Sequence, residues 1–276
     1  MPSSFDLARR RGLAALAGAA LWLAGCATPA PLALPVAPAP VRAALAPTGK
    51  LRVGVYPGSP SSMVVDASGR TVGVAYELGR ELARRLDVPF EPVPYRRLAD
   101  VVEALKAGQV DFTFTNASPA RARDIDFTAT LLDVELGYLV PAGGRLSSIA
   151  DVDQPGVRVG VSEGSSSQAT LSRQYRHAQL VPVPTLKAAA EALAQGRVDV
   201  FATNKGILSE LADGLPGARL LAGRWGLEHM AIGVPKGRAA GQPWLNAFAR
   251  DVQHDGTLQA AIARAGLRGS VAPSNS

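Results

Sequence analysis

Arg121 is the side chain of this sequence best suited to bind an anion. It follows the polar segment TNASPA (residues 115–120), which comes directly after an apolar run typical of a buried strand. Ligands of α/β folds bind beyond the carboxyl ends of such strands. The planar guanidinium offers paired donors that fit a carboxylate, and Asn116 and Ser118 would add donors from the same loop. The alternative is a solvated arginine beside the acidic Asp124.

Ser165 and Ser166 form a second candidate anion site. They follow Gly164 and open the helix predicted over residues 166–177. Free backbone N–H groups at the start of a helix attract an anion, and the glycine permits close approach. Serine is also a preferred N-cap residue, so the pair can cap the helix, bind a ligand or do both.

A hydrolase motif lies in the same loop. Residues 160–164 read GVSEG, which fits the G-x-S-x-G nucleophile elbow, and His177, His229 and His254 follow as possible bases. The corresponding loop of the first half, residues 54–58, reads GVYPG and has the same glycines without the serine. Turn geometry therefore accounts for the glycines in both loops, which disfavours the hydrolase. No metal site or cofactor is predicted, because no histidines or carboxylates stand at ligand spacing.

The sequence segments that must position these residues occur twice in the chain as an internal repeat. Residues 103–116 (EALKAGQVDFTFTN) and 191–204 (EALAQGRVDVFATN) agree at eight of fourteen positions. Residues 52–59 (RVGVYPGS) and 158–165 (RVGVSEGS) repeat in the same way. We therefore expect two similar α/β lobes whose Thr-Asn tips face each other across one cleft.

The hydrophobic pattern predicts a doubly wound βαβαβ sheet in each lobe. The predicted strands are residues 51–55, 93–95, 110–115, 158–161, 180–183 and 198–202. The predicted helices are residues 73–86, 97–107, 166–177, 186–195, 243–253 and 258–265. Apolar runs at residues 135–140 and 230–234 predict two strands that cross between the lobes as a hinge.

The composition favours a folded binding domain over a nucleic-acid binder. Hydrophobic residues make up 47% of the 276 residues and charged residues 19%, which is ample for two packed cores. The net charge of +6 comes from arginines that are scattered along the chain. Affinity for phosphates needs clustered charge, so no nucleic-acid partner is expected.

The N-terminus has the pattern of a secretory signal, with arginines at residues 9–11 and an apolar run over 12–24 that is too short to span a bilayer. The sequence LAGC around Cys26 resembles the lipobox of bacterial lipoproteins, which implies cleavage after residue 25 and lipidation of the thiol. A chance cleavage site beside an idle cysteine is the alternative. Ala27 favours the outer membrane as the anchoring site. Residues 26–48, rich in Pro and Ala, predict an extended tether.

The chain resembles the extracytoplasmic solute-binding proteins of the polar amino-acid-binding type (family 3), the periplasmic components of ABC importers. The motifs are LRVGV (51–55), AGQVD (107–111), SPAR (118–121), DFT (126–128), GRVD (196–199) and HDGTLQAAIARAGL (254–267). The resemblance implies a type II periplasmic-binding-protein fold over residues 49–272. One lobe would comprise residues 49–137 and 235–272, and the other residues 142–229.

The resemblance also implies roles for single residues. The arginine at the position of Arg121 grips a ligand carboxylate in this family, and Ser165 and Ser166 match a Gly-Thr-Thr loop by type. Asn204 stands where amino-acid-binding members carry an aspartate that pairs with the ligand ammonium. Because Asn is neutral, the sequence predicts a carboxylate or other anion held without that clamp.

The aromatic residues also depart from the family pattern. Tyr56 replaces a residue that is often acidic or Asn. Ser59 and Ser62 stand where Tyr and Phe are common. Tyr95 is therefore the main candidate to stack on a ligand.

The expected protein is a monomeric, lipid-anchored periplasmic binding protein without enzymatic activity. It would capture a small anionic or amino-acid-like solute by hinge closure and dock on an ABC permease of the inner membrane. Two alternatives stay open. One is a module that senses a ligand for a membrane partner. The other is an enzyme resembling periplasmic cyclohexadienyl dehydratases, with Glu77, Glu163 or Lys205 as the acid or base.

Overall fold

The computed structural model describes residues 37–274, which form an α/β fold of two lobes. The strands are β1 (Leu51–Val55), β2 (Val64–Val65), β3 (Thr71–Val72), β4 (Phe90–Pro94), β5 (Thr113–Asn116), β6 (Ile125–Phe127), β7 (Leu132–Val140), β8 (Arg158–Ser162), β9 (Gln179–Val183), β10 (Val200–Asn204), β11 (Arg219–Leu220), β12 (Gly226–Pro235) and β13 (Ser270–Val271). The helices are α1 (Ala39–Leu45), α2 (Val74–Leu86), α3 (Leu98–Lys106), α4 (Pro119–Ala122), α5 (Ser166–Gln174), α6 (Leu186–Ala194), α7 (Lys205–Asp213), α8 (Gln242–His254) and α9 (Thr257–Ala265). Within this part of the chain, no helix combines the length and apolarity that a membrane crossing requires.

The two longest strands connect the lobes. In lobe 1, β1 pairs in parallel with β4, and β5 pairs with the C-terminal half of β12. In lobe 2, β8 pairs in parallel with β9 and β10, and β10 pairs with the C-terminal half of β7. The remaining halves of β7 and β12 pair with each other in antiparallel orientation. The chain therefore crosses between the lobes twice, as the two apolar runs predict.

Each lobe buries its own apolar clusters. The largest cluster, in lobe 1, packs α2, α8 and α9 around β1, β5 and β12, with Phe112 and Phe248 among its fully buried side chains. Two smaller clusters lie in lobe 2, around Val161 and around Phe201.

Helix α2 shows how the spacing of apolar residues in the sequence produces the packing. Its apolar residues recur every four positions and are fully buried. They are Val74, Leu78, Leu82 and Leu86.

The repeated sequence is explained by a repeated ion pair. In lobe 1 the carboxylate of Asp111 accepts hydrogen bonds from the backbone N–H and the guanidinium of Arg52. In lobe 2 Asp199 accepts the same set of bonds from Arg158. In lobe 1 the pair links β1 to the segment just before β5, and in lobe 2 it links β8 to the segment just before β10. The arginine of each RVGV motif and the aspartate of each VD motif therefore form the same contact in both lobes.

The predicted strands and helices are confirmed, with ends that move by a few residues. Helix α5 ends at Gln174, three residues before its predicted end, and β5 begins only at Thr113. The pattern missed helix α7, which begins immediately after the second Thr-Asn tip. Asn204 caps this helix by accepting a hydrogen bond from the backbone N–H of Ile207 at 3.0 Å.

The predicted extended tether is wrong for residues 39–45, which form helix α1. Proline is compatible with the first turn of a helix, so Pro40 does not prevent it. Leu45 and Ala46 are buried in the lobe 1 core, and Arg238 donates a hydrogen bond to the carbonyl of Ala44 at 2.5 Å. The predicted signal peptide, Cys26 and the tether up to residue 36 lie outside the described residues.

We expect Leu45→Ala to lower the free energy of unfolding by about 2–3 kcal/mol, because it removes a fully buried leucine at the contact between α1 and α8. A Cβ at Gly241 would lie 2.6 Å from Leu45 Cδ2, so the two surfaces are in close contact. Urea unfolding of the variant measures the loss. Val65→Ala, at a side chain 68% exposed, is the control and should change stability by less than about 0.5 kcal/mol. Equal effects would mean that α1 is not part of the core.

Candidate functional site

Equivalent segments of the two lobes line one pocket. Its lining residues come from the loops after β1 and β8, the starts of α3 and α6, the ends of β5 and β10, and β12. They include Tyr56, Ser61, Arg97, Thr115, Asn116, Glu163, Ser165, Thr185, Thr203, Asn204, Glu228 and Met230. Both Thr-Asn tips therefore face the same cleft, as the repeat predicts.

Arg121 lies immediately behind the first tip and is 8% exposed. Its Nη1 donates to Thr115 Oγ1 at 2.8 Å and to the carbonyl of Asn116 at 3.2 Å, which fixes the guanidinium beside two pocket residues. Among the described residues it forms no ion pair. Burial lowers the pKa of Arg121, while Glu228 and Tyr56 act in the opposite direction. Arg121 itself is not among the pocket-lining residues: its guanidinium lies directly behind Thr115 and Asn116, which do line the pocket, and it has N–H donors left over.

Glu228 is the carboxylate that the sequence reasoning missed. It lies on β12 and is 7% exposed, and its side chain accepts hydrogen bonds from Ser166 Oγ at 2.7 Å and Asn204 Nδ2 at 2.9 Å. One signal could have found it, namely an acidic residue at the start of an apolar run predicted to cross between the lobes. The pocket thus contains an acidic group, although position 204 is neutral.

The serines predicted as ligand donors already have partners in the fold. Ser165 caps α5 by accepting from the N–H of Gln168 at 3.1 Å, and it also lines the pocket. Ser166 donates to Glu228. Ser118 caps the short helix α4 through the N–H of Arg121, and it lies outside the pocket lining. In this structure Ser165 and Ser118 therefore cap helices, and Ser166 holds the carboxylate of Glu228.

Tyr56 and Tyr95 differ in their positions. Tyr56 lines the pocket, and burial raises its pKa to about 12, so its hydroxyl is neutral. Tyr95 is outside the lining and packs against the apolar cluster around Leu105. This placement does not support Tyr95 as the stacking residue, and Tyr56 is the tyrosine that the structure brings to the site. Ser62 accepts a hydrogen bond from the Tyr56 N–H at 2.9 Å and so shapes the loop.

The structure does not assemble a hydrolase. Ser162 lines the pocket, but none of the three histidines of the chain does. The ring of His229 bonds Asp133 on the neighbouring strand, and that of His254 bonds the carbonyl of its own helix at Arg250. A serine without an adjacent base is a weak nucleophile. In residues 37–274 there is also no cluster of His, Cys, Asp or Glu that could hold a metal ion.

The three candidate acids and bases of a dehydratase are engaged in ion pairs. Glu77 pairs with Arg80 and Arg264, and Lys205 pairs with Glu135, all outside the pocket lining. Glu163 lines the pocket. Its carboxylate bonds Arg97 across the cleft at 2.5 Å, and this contact joins the two lobes over the site. None of the three is available at the pocket as a free acid or base.

Curated relatives share parts of this sequence. A segment of 81 residues is 41% identical to the membrane-bound lytic murein transglycosylase F of Vibrio cholerae and covers 29% of this chain. The chain spans only 15% of the length of that enzyme. The ABC transporter glutamine-binding protein GlnH of Bacillus subtilis is 21% identical over 194 residues, which are 69% of this chain and 71% of GlnH.

The fold is that of known binding proteins. A solute receptor for L-cysteine of Neisseria gonorrhoeae superposes with a TM-score of 0.72 at 27% identity, covering 82% of this chain and 94% of the receptor. The sequence model of the bacterial extracellular solute-binding proteins, family 3, matches residues 51–266. That match extends from β1 through α9 and includes every residue of the pocket. The chain belongs to the bacterial extracellular solute-binding proteins of family 3.

Proposed function

We propose that this protein is the periplasmic substrate-binding component of an ABC-type importer and that it captures a small carboxylate-bearing, amino-acid-like solute. Arg121 is the observation that carries the proposal. It is a buried guanidinium, fixed directly behind the pocket residues Thr115 and Asn116, with no carboxylate of the described chain paired to it. A bidentate carboxylate would satisfy its remaining donors and compensate its charge.

Hinge closure is the proposed mechanism. The pocket is formed by both lobes, and the long strands β7 and β12 connect the lobes. A ligand that contacts both Thr-Asn tips stabilises the closed form relative to the open form by its extra contacts. The Arg97–Glu163 ion pair spans the cleft and adds to closure. The closed form would then dock on an inner-membrane permease.

The lipoprotein anchor is part of the proposal. The signal sequence and the LAGC motif support lipidation of Cys26, with the outer membrane favoured by Ala27. Mass spectrometry of the protein purified from membranes tests this directly, since a diacylglyceryl group adds to the mass of the N-terminal peptide. A Cys26→Ala variant should be released into the soluble periplasmic fraction.

We expect Arg121→Ala to weaken ligand binding by about 100-fold, because one charged bidentate contact is lost. The measurement is a thermal-shift screen of amino acids, carboxylates, sulfonates and phosphonates, followed by calorimetry on each hit. Arg121→Lys should also lose most of the affinity, since an ammonium lacks the paired donors. Arg123→Ala, at an exposed arginine two residues further on, is the matched control and should bind normally.

Unchanged affinity in Arg121→Ala would contradict the site. Thermal unfolding of each variant without ligand separates loss of the contact from loss of the fold. Recovery of the bound compound unchanged after long incubation distinguishes a binding protein from a dehydratase. A binding protein that reports to a sensor would give the same binding results as a transport protein. An uptake assay in cells that lack the protein distinguishes transport from sensing.

A further inference from the structure

Glu228 is a buried carboxylate with only neutral partners. Its two oxygens accept from a serine hydroxyl and an asparagine amide, and no Lys, Arg or His of the described chain forms an ion pair with it. Burying an ionised carboxylate without a compensating charge is costly. Such groups are typical of sites where a ligand supplies the missing charge.

None of the described charged side chains at or behind the pocket forms an ion pair with Glu228. Arg97 and Glu163 neutralise each other across the cleft, and Arg96 is exposed. Arg121 is close enough for an electrostatic effect, but the two side chains are not in ion-pair contact. A buried anion, Glu228, therefore lines the pocket, and a buried cation, Arg121, lies behind the pocket residues Thr115 and Asn116. This arrangement is complementary to a dipolar ion with a carboxylate at one end and an ammonium at the other.

The contact with Glu228 also explains why the residue at position 204 is neutral. Its amide Nδ2 lies 2.9 Å from Glu228 Oε2, while its Oδ1 caps helix α7. An aspartate at position 204 could cap the helix equally well. It would, however, place a second carboxylate against Glu228, and two like charges at this distance repel each other strongly. A neutral residue at 204 is thus the consequence of a carboxylate at 228.

We propose that Glu228 determines the specificity of the pocket by binding the ammonium of a zwitterionic amino acid. Ser166 and Asn204 are positioning residues that hold its carboxylate toward the ligand. The inference rests on the proposed function, because Arg121 must take the ligand carboxylate. It replaces the expectation from sequence that the ligand is an anion held without an acidic partner.

The test is calorimetry with the proteinogenic L-amino acids and, for each amino acid that binds, the deaminated acid with the same side chain. The natural protein should prefer the amino acid by at least about 100-fold. Glu228→Gln keeps the shape and removes the charge. It should weaken binding of the amino acid by about 100-fold and leave binding of the deaminated acid unchanged or improved. Glu103→Gln, at an exposed carboxylate outside the pocket lining, is the control and should change either affinity by less than about threefold.

Two further variants distinguish a charge effect from a structural one. Asn204→Asp combined with Glu228→Gln returns the carboxylate to position 204 and should restore much of the affinity for the amino acid. Asn204→Asp alone should bind less well than the natural protein, because the second carboxylate repels Glu228 and removes the amide that holds it toward the ligand. Glu228→Gln should unfold at the same or a higher temperature without ligand, since an uncompensated buried charge is removed.

The outcomes separate the two proposals. Equal binding of amino acids and deaminated acids, with no effect of Glu228→Gln, would overturn the role of Glu228 and leave the carboxylate site at Arg121 in place. Absence of binding for every compound of both series, or binding that is indifferent to Arg121→Ala, would overturn the proposed function and this inference together.

Discussion

Asp111→Ala is expected to lower the free energy of unfolding by about 3–5 kcal/mol. The Asp111 side chain is completely buried and forms ion pairs with Arg52 at 2.8 Å and Arg238 at 3.0 Å. Both guanidiniums are themselves largely buried, with 18% and 13% of the side chain exposed. Removing the carboxylate leaves two desolvated cations without a counter-charge and frees the backbone N–H that it accepts from β1. Urea unfolding, with the midpoint and slope fitted together, measures the loss.

The internal repeat supplies the control for this prediction. Asp199→Ala removes the equivalent carboxylate of lobe 2, where the hydrogen-bond pattern is the same. Here the aspartate is 34% exposed and its partner Arg158 39% exposed, so water replaces the lost contact. We expect a much smaller loss of stability. Similar losses in the two variants would show that burial does not set the value of this contact.

Gly73→Ala is expected to lower the free energy of unfolding by about 3 kcal/mol or more. Gly73 precedes helix α2 with φ 150°, a conformation that residues with a Cβ rarely adopt. A Cβ there would lie 2.1 Å from the carbonyl oxygen of Ser62 and 2.8 Å from Met63 Cα, and backbone atoms cannot rotate away. The carbonyls of residues 60–62 accept the first N–H groups of α2, so the overlap separates the loop from the helix that it caps.

The same change should also weaken ligand binding, because the displaced loop carries Tyr56 and Ser61 of the pocket. The measurements are chemical denaturation and calorimetry on the same variant. Gly69→Ala provides the comparison, since Gly69 has φ 80° but open space around its Cβ position. It should cost only the backbone strain, about 1 kcal/mol, and leave binding intact. A Gly73→Ala protein as stable as Gly69→Ala would contradict the steric argument.

Sequence and structure differ most in the charge of the candidate site. The sequence points to Arg121 through the SPAR motif that resembles family 3, in a polar loop after a strand, and both features are local along the chain. It does not point to Glu228, whose partners Ser166 and Asn204 lie 62 and 24 residues away along the chain. Considered alone, Asn204 indicated a missing ammonium partner. The structure shows a carboxylate beside it, and that contact exists only because β12 passes next to the starts of α5 and α7.

The sequence alone determined the two lobes, the main strands and helices of each, the two crossing segments and the matched Thr-Asn tips. These features follow from hydrophobic period, turn residues and an internal repeat, all of which are local along the chain. Tertiary structure alone decided that residues 39–45 are a helix, that Tyr95 lies outside the pocket lining and that Glu228 lies beside Asn204 at the pocket. Burial and charge compensation depend on which elements pack together. They therefore cannot be predicted from residues that are neighbours in the sequence.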